Sequence, residues 1–170
     1  MDIYAANLSR SLIPPQYAAE FEQQLTDTSN LTLVFTTENR VVACGTISYS
    51  PREASAWLSF GLVHPAFQRQ GIGSTMLLTR MSLLEPSAER PCTIYLSATR
   101  HSKGFFSKHG FGWRGTEGDR YGNEFETFYF PLTPTITQSI RQTLKRVGVP
   151  YDGTLKVPTK EKLLNEPANA

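Results

Sequence analysis

Two glycines, Gly71 and Gly73, separate a segment that predicts a strand from a segment that predicts a helix. Residues 55–63 are mostly apolar or aromatic, as in a buried strand, and apolar side chains recur at helical spacing over residues 72–84. The glycines therefore fall on the first turn of a helix, where backbone N–H groups lack partners within the helix. These donors and the positive end of the helix dipole favour a phosphate, and the missing Cβ lets a ligand approach the main chain.

Two common phosphate-binding loops do not fit this turn. A P-loop has a Lys followed by Ser or Thr after its second glycine, and no Lys follows Gly73. A dinucleotide-binding fingerprint has a third Gly or Ala three residues after Gly73, where this sequence has Met76. A different phosphate-bearing ligand is therefore expected.

Residues 68–73 (Gln-Arg-Gln-Gly-Ile-Gly) resemble motif A of the GNAT (GCN5-related N-acetyltransferase) superfamily, which reads Gln or Arg, any two residues, Gly, any residue, Gly or Ala. The preceding Val-His-Pro-x-Phe at residues 63–67 is similar to the family's strand end. Residues 105–111 (Phe-Phe-Ser-Lys-His-Gly-Phe) resemble motif B, and residues 93–97 supply the strand expected between the motifs. The resemblance covers residues 1–133, which are interpreted as a GNAT acetyltransferase domain.

The resemblance implies an α/β (α+β) fold with a mixed, mostly antiparallel central sheet of about seven strands. Helices flank this sheet, which is splayed between strands four and five, here residues 55–63 and 92–98. Residues 2–8 predict the first strand. The other predicted elements are a helix from Pro14 to residue 25, strands at 31–36 and 41–50, helices at 72–84 and 102–109, and strands at 111–117 and 123–131.

In GNAT proteins acetyl-CoA is the cosubstrate, and it lies along the glycine loop and in the splay of the sheet. The resemblance implies that main-chain groups of Leu62 and Val63 bind the pantetheine arm and that one of their amides polarises the thioester carbonyl. Their side chains can pack in the core at the same time. The backbone amides implied to hold the pyrophosphate are those of Gln70, Gly71, Ile72, Gly73, Ser74 and Thr75. Gln68 and Arg69 stand at the rim, where Arg69 is either a phosphate contact or a solvated charge.

Two positions depart from the family pattern, so no catalytic residue is assigned. Many relatives have a Glu about six residues before the Val that ends the strand, and Trp57 stands there. Motif B often has a Tyr proposed to protonate the thiolate, and Phe106 stands there, so Phe106 is expected only to contact the coenzyme. Ser97 replaces a family Asn as a coenzyme contact, or bonds only its strand neighbours. A general acid or base contributes about 10²–10⁴-fold, so an enzyme can lack both if its amine is already partly neutral.

Other side chains are candidates for the missing general acid or general base, or for the acceptor site. His109, in the motif B helix, is interpreted as a solvated surface residue rather than a catalytic one. The remaining candidates are His64, His101, Tyr49, Glu53, Tyr121, Glu124 and Tyr129. Glu124 and Glu126 share a strand face, which a solvated edge also explains. Trp57, Phe60, Tyr49 and Trp113 indicate an apolar acceptor pocket or ordinary core packing.

Length and composition limit the alternatives. A chain of 170 residues with 39% hydrophobic residues suits one domain with its own core. A net charge of +2 does not by itself indicate a nucleic-acid binder. Cys44 and Cys92 have no metal-ligand spacing and are interpreted as reduced core thiols, so no metal is expected. No signal-like N-terminus and no apolar run of about 18–20 residues is present, so we expect a soluble cytoplasmic protein without membrane contact.

Residues 134–170 form a C-terminal extension with six basic residues against three acidic ones. Ile136, Ile140, Leu144 and Val147 fall on one face of a helix. That helix docks on the domain or on a second copy of the chain, as in a homodimer; alternatively, the basic tail binds a polyanion. Docking is favoured, because three surplus charges are few for firm nucleic-acid binding.

The sequence thus predicts an acetyl-CoA-dependent N-acetyltransferase in which an amine attacks the thioester directly, because no Cys stands at either motif to carry the acyl group. The acceptor is expected to be a small molecule, since no acidic run is available to attract a basic peptide. Two alternatives stay open: a non-catalytic CoA-binding or protein-interaction module of the same fold, and acetylation of a protein or aminoacyl-tRNA amine.

Overall fold

A computed structural model describes residues 2–10, 12–37, 40–149 and 155–156. The strands of these residues are β1 (Asn30–Thr37), β2 (Arg40–Ser50), β3 (Ser55–Val63), β4 (Leu84–Glu85), β5 (Cys92–Ala98), β6 (Gly112–Gly118), β7 (Glu124–Leu132) and β8 (Leu155–Lys156). The helices are α1 (Asp2–Leu8), α2 (Ala18–Thr26), α3 (Ile72–Ser82), α4 (Lys103–Lys108) and α5 (Pro134–Arg146). None of these described helices is both long enough and apolar enough to cross a membrane.

Six of the strands form one sheet in the order β1-β2-β3-β5-β7-β6. Neighbouring strands are antiparallel except β3 and β5, which are parallel. Strands β4 and β8 form a separate parallel ladder. The predicted fold class is confirmed, with six strands in the main sheet instead of about seven.

The difference in strand number comes from residues 2–8, which form helix α1 and not the predicted first strand. Ile3, Tyr4 and Asn7 are buried, and Leu8 packs against a hydrophobic cluster that contains Ile3 and Tyr4. Such positions share one face of a helix, whereas Ile3 and Tyr4 would point to opposite faces of a strand. The prediction was wrong because seven residues make only about two helical turns, too few to separate the two periods.

The two faces of the sheet carry separate hydrophobic clusters. The larger cluster includes Leu77 of α3, Leu144 of α5 and Phe128 of β7, and the phenylalanines of α4 pack against it. The smaller cluster includes Tyr4 of α1 and Phe21 of α2. Helices α3, α4 and α5 therefore cover one face of the sheet, and α1 and α2 cover part of the other.

Strands β3 and β5 pair over only three residues. The partners are Ser55 with Thr93, Ala56 with Ile94, and Trp57 with Tyr95. Beyond the last pair the ladder ends, although β3 continues to Val63 and β5 continues to Ala98. The predicted splay is confirmed, and the space between residues 58–63 and residues 96–98 is called the gap below.

Helix α5 docks on the domain through most of its predicted apolar face. Ile140 and Leu144 are buried in the larger cluster. The Nε of Arg141 donates to the carbonyl oxygen of Ser82 at the end of α3, at 3.0 Å. Val147, predicted on the same face, is 64% exposed because α5 ends one residue earlier. The basic tail beyond residue 149 lies outside the described residues, apart from residues 155–156.

Candidate active site

The glycine turn lies at the end of β3 that borders the gap. Gly71 precedes α3 with a φ of 86°, in the left-handed region that favours glycine. Apart from Gly71 itself and its neighbours along the chain, no heavy atom lies within 4 Å of the place where its Cβ would be. No side chain caps the first turn of α3, so the backbone N–H groups there are available to a ligand. This open turn is therefore a candidate site for an anion.

Side chains of the turn fix its shape by bonding to its own backbone. The Nε2 of Gln68, expected at the rim, donates to the carbonyl oxygen of Val63 at 3.1 Å. The Nδ1 of His64 accepts from the N–H of Ala66 at 3.2 Å, so this histidine caps the single 3₁₀ turn that follows β3. Arg69 has a φ of 63°, which is uncommon for a residue other than glycine. The turn is therefore tied to the strand end before any ligand binds.

Gly73 lies where α4 packs against α3. A Cβ on Gly73 would lie 3.7 Å from the Val63 side chain and 3.8 Å from the Phe105 ring, which is ordinary van der Waals contact. The ring of Phe106 lies 5.0 Å from that of Phe105 and 6.0 Å from that of Phe128 in the larger cluster. Phe106 thus packs with the core, and its contact with a coenzyme stays a prediction.

His109 connects the two sequence motifs. Its Nε2 lies 3.0 Å from the Oγ of Ser74 on the first turn of α3, and its Nδ1 lies 2.9 Å from the carbonyl oxygen of Phe105. A carbonyl can only accept, so Nδ1 carries a proton and donates to Phe105, while Nε2 and the Ser74 hydroxyl share the second hydrogen bond. The interpretation of His109 as a solvated surface residue is therefore wrong. No sequence pattern predicts this contact, because Ser74 is 35 residues away.

Strand β3 contains a bulge where it borders the gap. Cys44 of β2 pairs with Leu62 and Thr46 pairs with Ser59, so β3 has one more residue than β2 between these positions. Phe60, inside the bulge, has a φ of 45°. Because a bulge leaves the extra residue outside the ladder, backbone groups next to the gap become available for other partners.

Arg80 of α3 fills the space behind this bulge. It is only 2% exposed, and its Nη1 donates to the carbonyl oxygens of Ser59 at 3.3 Å and Thr46 at 3.5 Å. A Cβ on Gly45 or Gly61 would lie 3.0 Å from the guanidinium, so these glycines make room for it. Burial lowers the pKa of Arg80 to about 10, which leaves it charged at neutral pH. The sequence analysis missed Arg80 because an arginine on a helix normally lies at the surface.

The sequence matches the family model of the acetyltransferase (GNAT) domain over residues 8–128. The chain belongs to the GNAT acetyltransferase family. The resemblance found from the two motifs is thereby confirmed, because the match includes the strands, the glycine turn and the motif B helix. As a GNAT member the protein is an N-acetyltransferase with acetyl-CoA as its cosubstrate.

Solved GNAT acetyltransferase structures have the same fold. The Bacillus subtilis acetyltransferase in complex with CoA is 12% identical, with a TM-score of 0.58 over 77% of this chain and 91% of that chain. The ribosomal-protein-S18-alanine N-acetyltransferase from Escherichia coli is 17% identical, with a TM-score of 0.53 over 68% and 76%. Tetrahymena GCN5 is 18% identical, with a TM-score of 0.54 over 75% and 84%. No curated protein matches the chain in sequence.

Trp57, Tyr95 and Tyr129 lie in one row across β3, β5 and β7, because Trp57 pairs with Tyr95 and Tyr95 pairs with Tyr129. The rings of Trp57 and Tyr95 are stacked, with centroids 5.4 Å apart and planes 28° apart. Trp57 and Tyr129 are each 41% exposed. These three residues are called the aromatic row. The position at which many GNAT relatives carry a Glu thus holds an exposed indole.

Neither strand that borders the gap carries an obvious proton acceptor. Strand β3 reads Ser-Ala-Trp-Leu-Ser-Phe-Gly-Leu-Val and β5 reads Cys-Thr-Ile-Tyr-Leu-Ser-Ala, so both lack Asp, Glu and His. Ser97 is exposed on β5 and Ser59 is partly buried on β3. Catalytic acid and base residues therefore stay unassigned.

Glu124 and Glu126 lie on the α4 side of the sheet, away from the aromatic row. They line a cavity of about 500 Å³. Glu126 accepts hydrogen bonds from the side chains of Trp113, Lys103 and Thr116. These bonds, that of Trp113 first, hold the pKa of Glu126 below its ordinary value. The two carboxylates share a strand face, as expected, but they do not face the row.

The turn between β6 and β7 contacts the segment before α2. The ring of Tyr17 lies 5.5 Å from that of Tyr121 and 5.7 Å from that of Phe125, in both cases edge to face. Arg120 of the same turn forms an ion pair with Glu20 of α2. The candidate Tyr121 thus belongs to an aromatic contact that closes one side of the domain.

The remaining candidate residues, Tyr49, Glu53 and His101, lie outside the glycine turn and the aromatic row. Tyr49 packs against the larger cluster, and burial raises its pKa to about 12. Glu53 accepts from the Ser55 hydroxyl at 3.3 Å, in the turn between β2 and β3. Both therefore lie at the opposite end of β3 from the glycine turn. His101 is exposed in the turn before α4.

Proposed function

We propose that this protein transfers an acetyl group from acetyl-CoA directly to the amine of a small molecule, in the cytoplasm. The observation that carries the proposal is that the open glycine turn and the gap are continuous. The turn begins where β3 ends, and the gap runs back along the same strand from Val63. One extended molecule with a phosphate at one end can therefore occupy both places. The two cysteines are free and buried, which suits a reducing compartment.

The coenzyme would be held mainly by backbone groups. The amides of residues 70–75 face the pyrophosphate in this proposal, with Arg69 at the rim. Main-chain groups of Leu62 and Val63 hold the pantetheine arm along the bulged part of β3, and Ser97 faces it from β5. This arrangement places the thioester in the gap, where an amine can reach it from the side of the aromatic row.

The reaction needs no covalent enzyme intermediate. The nitrogen lone pair attacks the thioester carbonyl carbon, the C–N bond forms, and the C–S bond breaks. A backbone amide at the bulge donates to the oxyanion that develops on the carbonyl oxygen. The proton lost by the nitrogen replaces the acetyl group on the coenzyme sulfur, so the products are an amide and CoA.

The cysteines support direct transfer. Burial raises the pKa of Cys44 to about 11 and the pKa of Cys92 to about 11. Both are therefore neutral thiols at physiological pH, whereas an acyl carrier must attack as a thiolate. Neither thiol belongs to the glycine turn or to the motif B helix.

The test combines a binding measurement with a turnover measurement. Isothermal titration with acetyl-CoA should give one site per chain. Ellman's reagent should then report CoA release that depends on an added amine. The buried cysteines should keep the background of this assay low. Absence of acetyl-CoA binding would contradict the proposal, and so would release that no small amine accelerates.

A second candidate, a non-catalytic CoA-binding module, conflicts with membership of an acetyltransferase family, and only the lack of Asp, Glu and His on β3 and β5 favours it. Such a module would bind acetyl-CoA and release no CoA with any amine.

A third candidate function, the acetylation of a protein or aminoacyl-tRNA amine, rests on the basic tail. Polyanion contacts weaken steeply with salt, so a tRNA acceptor predicts turnover that falls between about 50 and 200 mM salt. A small neutral acceptor predicts turnover that changes little over that range.

A further inference from the structure

The aromatic row occupies the sheet face next to the gap. Ile94 and Leu96 of β5 point into the larger cluster beneath α3, so Tyr95 and Ser97 point to the opposite face. Trp57 and Tyr95 are the last pair before the strands separate. A ring packed against the exposed indole of Trp57 would therefore place its substituent at the mouth of the gap, where the proposed thioester lies.

The charges around the row are few. The guanidinium carbon of Arg114 on β6 lies 5.6 Å from the centroid of the Tyr95 ring. Glu117 of β6 pairs with Phe125, beyond the last pair between β5 and β7. Glu20 of α2 is bonded to Arg120. Asp27, which follows α2, accepts a hydrogen bond from the side chain of Asn30, and Asn30 and Ser48 lie in register with Trp57 on β1 and β2. This carboxylate is therefore separated from Trp57 by Asn30 and Ser48, whereas a cation lies on the row itself.

An ordinary alkylamine would be a poor substrate at such a site. Its ammonium resembles that of Lys, with a pKa of about 10.4, so fewer than about one molecule in a thousand is neutral at pH 7. The protonated form has no lone pair with which to attack. Aromatic faces also attract ammonium groups, which favours the unreactive form, and Arg114 already lies over one of these faces.

An aromatic amine avoids both difficulties. A nitrogen bonded to an aromatic ring is neutral at physiological pH, because its lone pair is delocalised into the ring. The ring itself provides a flat apolar surface that stacks on indole and phenol rings. Resting on the function proposed above, we infer that the acceptor is an aromatic amine whose ring packs against the exposed indole of Trp57, beside Tyr95, and whose nitrogen attacks without a general base from β3 or β5.

The step balances with the two substrates alone. The neutral nitrogen forms the C–N bond to the acetyl carbon, and the thiolate of CoA leaves with the electron pair of the C–S bond. The nitrogen then loses one proton, which the thiolate takes directly or through water. An alkylammonium would have to release a further proton to the solvent before the first step.

Three amines test this inference: aniline, benzylamine and cyclohexylamine, assayed with acetyl-CoA from pH 6 to pH 9. Aniline should have the highest kcat/KM at pH 7, and its profile should be flat. Log kcat/KM for benzylamine and cyclohexylamine should rise by about one for each pH unit, since only the neutral fraction reacts. Higher kcat/KM for benzylamine than for aniline at pH 7, with a flat profile, would overturn the inference by showing that a base exists. If no amine releases CoA, it is the proposed function that fails.

Substitutions at Trp57 test the row itself. Trp57→Leu should raise KM for aniline about 3- to 10-fold, the amount expected for one aromatic pair, and leave KM for cyclohexylamine unchanged. Trp57→Phe, which keeps a ring, should change KM for aniline less than about 3-fold. Trp113→Leu is the matched control, because Trp113 is also exposed but lies on the α4 side of the sheet. Equal effects of Trp57→Leu and Trp113→Leu would contradict the inference.

A third variant, Trp57→Glu, restores a carboxylate where the row now has an indole. It should raise kcat/KM for benzylamine at pH 7 by about 100-fold or more, the usual contribution of a general base, and flatten its pH profile. It should also raise KM for aniline. No gain with benzylamine in a folded Trp57→Glu protein that still binds acetyl-CoA would count against the inference.

Discussion

The two sides of the gap are built from different parts of the polypeptide. On the turn side, the groups proposed to face the coenzyme are backbone amides, and glycines and a bulge shape the chain around them. On the row side, the groups proposed to face the acceptor are side chains, and the exposed surface there consists of an indole, two phenols and the guanidinium over one of them. A backbone site keeps its donors whatever side chains evolve around it, whereas a side-chain site changes its chemistry with each substitution. The coenzyme can therefore be predicted from the family's sequence pattern, whereas the acceptor has to be inferred from the side chains of this chain alone.

The largest expected effect comes from a charge placed among the backbone donors. Gly73→Asp should weaken acetyl-CoA binding at least about 100-fold, because two like charges about 4 Å apart at an effective dielectric constant near 20 repel by about 4 kcal/mol. The fold should tolerate it, since the new Cβ meets only ordinary contacts. A carboxylate in the first turn of a helix also adds about 0.3–1 kcal/mol of stability. Isothermal titration and thermal unfolding measure the two effects separately.

The control for this prediction is Thr135→Asp. Thr135 is the second residue of α5, as Gly73 is of α3, and it is exposed. Thr135→Asp should leave acetyl-CoA affinity unchanged. Unchanged affinity in Gly73→Asp as well would mean that the turn does not bind the phosphate.

The bulge gives the second largest effect. Gly61→Ala brings a Cβ within 3.0 Å of the buried guanidinium, and overpacking of this kind costs about 1–3 kcal/mol of unfolding free energy. In an Arg80→Met background the same substitution should cost much less, because the clash is gone. Denaturant unfolding of the four proteins gives the coupling energy. An equal cost of Gly61→Ala in both backgrounds would show that Arg80 does not hold the bulge.

A smaller effect is expected at the bond that joins the two motifs. Ser74→Ala should lower the unfolding free energy by about 0.5–1.5 kcal/mol, the usual net value of one hydrogen bond. His109→Ala should cost more, because it also removes the bond to the carbonyl oxygen of Phe105. The double variant should cost little more than His109→Ala alone, since both substitutions remove the contact between Ser74 and His109. Full additivity in the denaturant midpoints would indicate that the two side chains act independently.

The smallest effect concerns Glu126, on the face away from the row. Its pKa is lowered in the folded protein, chiefly by the Trp113 indole, so its stabilisation is present above the unfolded pKa and lost as the pH falls through the folded one. Glu126→Gln should therefore lower the urea midpoint slightly at pH 7. The difference from the original protein should disappear in strong acid. Acetyl-CoA affinity should not change, because Glu126 lies outside the turn and the gap.

The sequence predicted the parts of the molecule that depend on local chain geometry. Gly71 and Gly73 marked the turn because their role needs only a strand before them and a helix after them. The pairing of Trp57 with Tyr95 and Tyr129 could not be read from the sequence, since register across β3, β5 and β7 is a property of the assembled sheet. Arg80 and His109 were missed because their partners lie on other elements. Helix α1 was mistaken for a strand because its seven residues do not distinguish the two periods.

The short ladder between β3 and β5 divides the sheet into two antiparallel halves, β1-β2-β3 and β5-β7-β6, which share only three residue pairs. A cosubstrate lying in the gap would fill the place of the absent ladder and connect the two free edges. Acetyl-CoA would then be a structural component of the sheet as well as a reactant. Resistance to heat should accordingly grow with its concentration, by about 2.7 kcal/mol at one hundred times its dissociation constant.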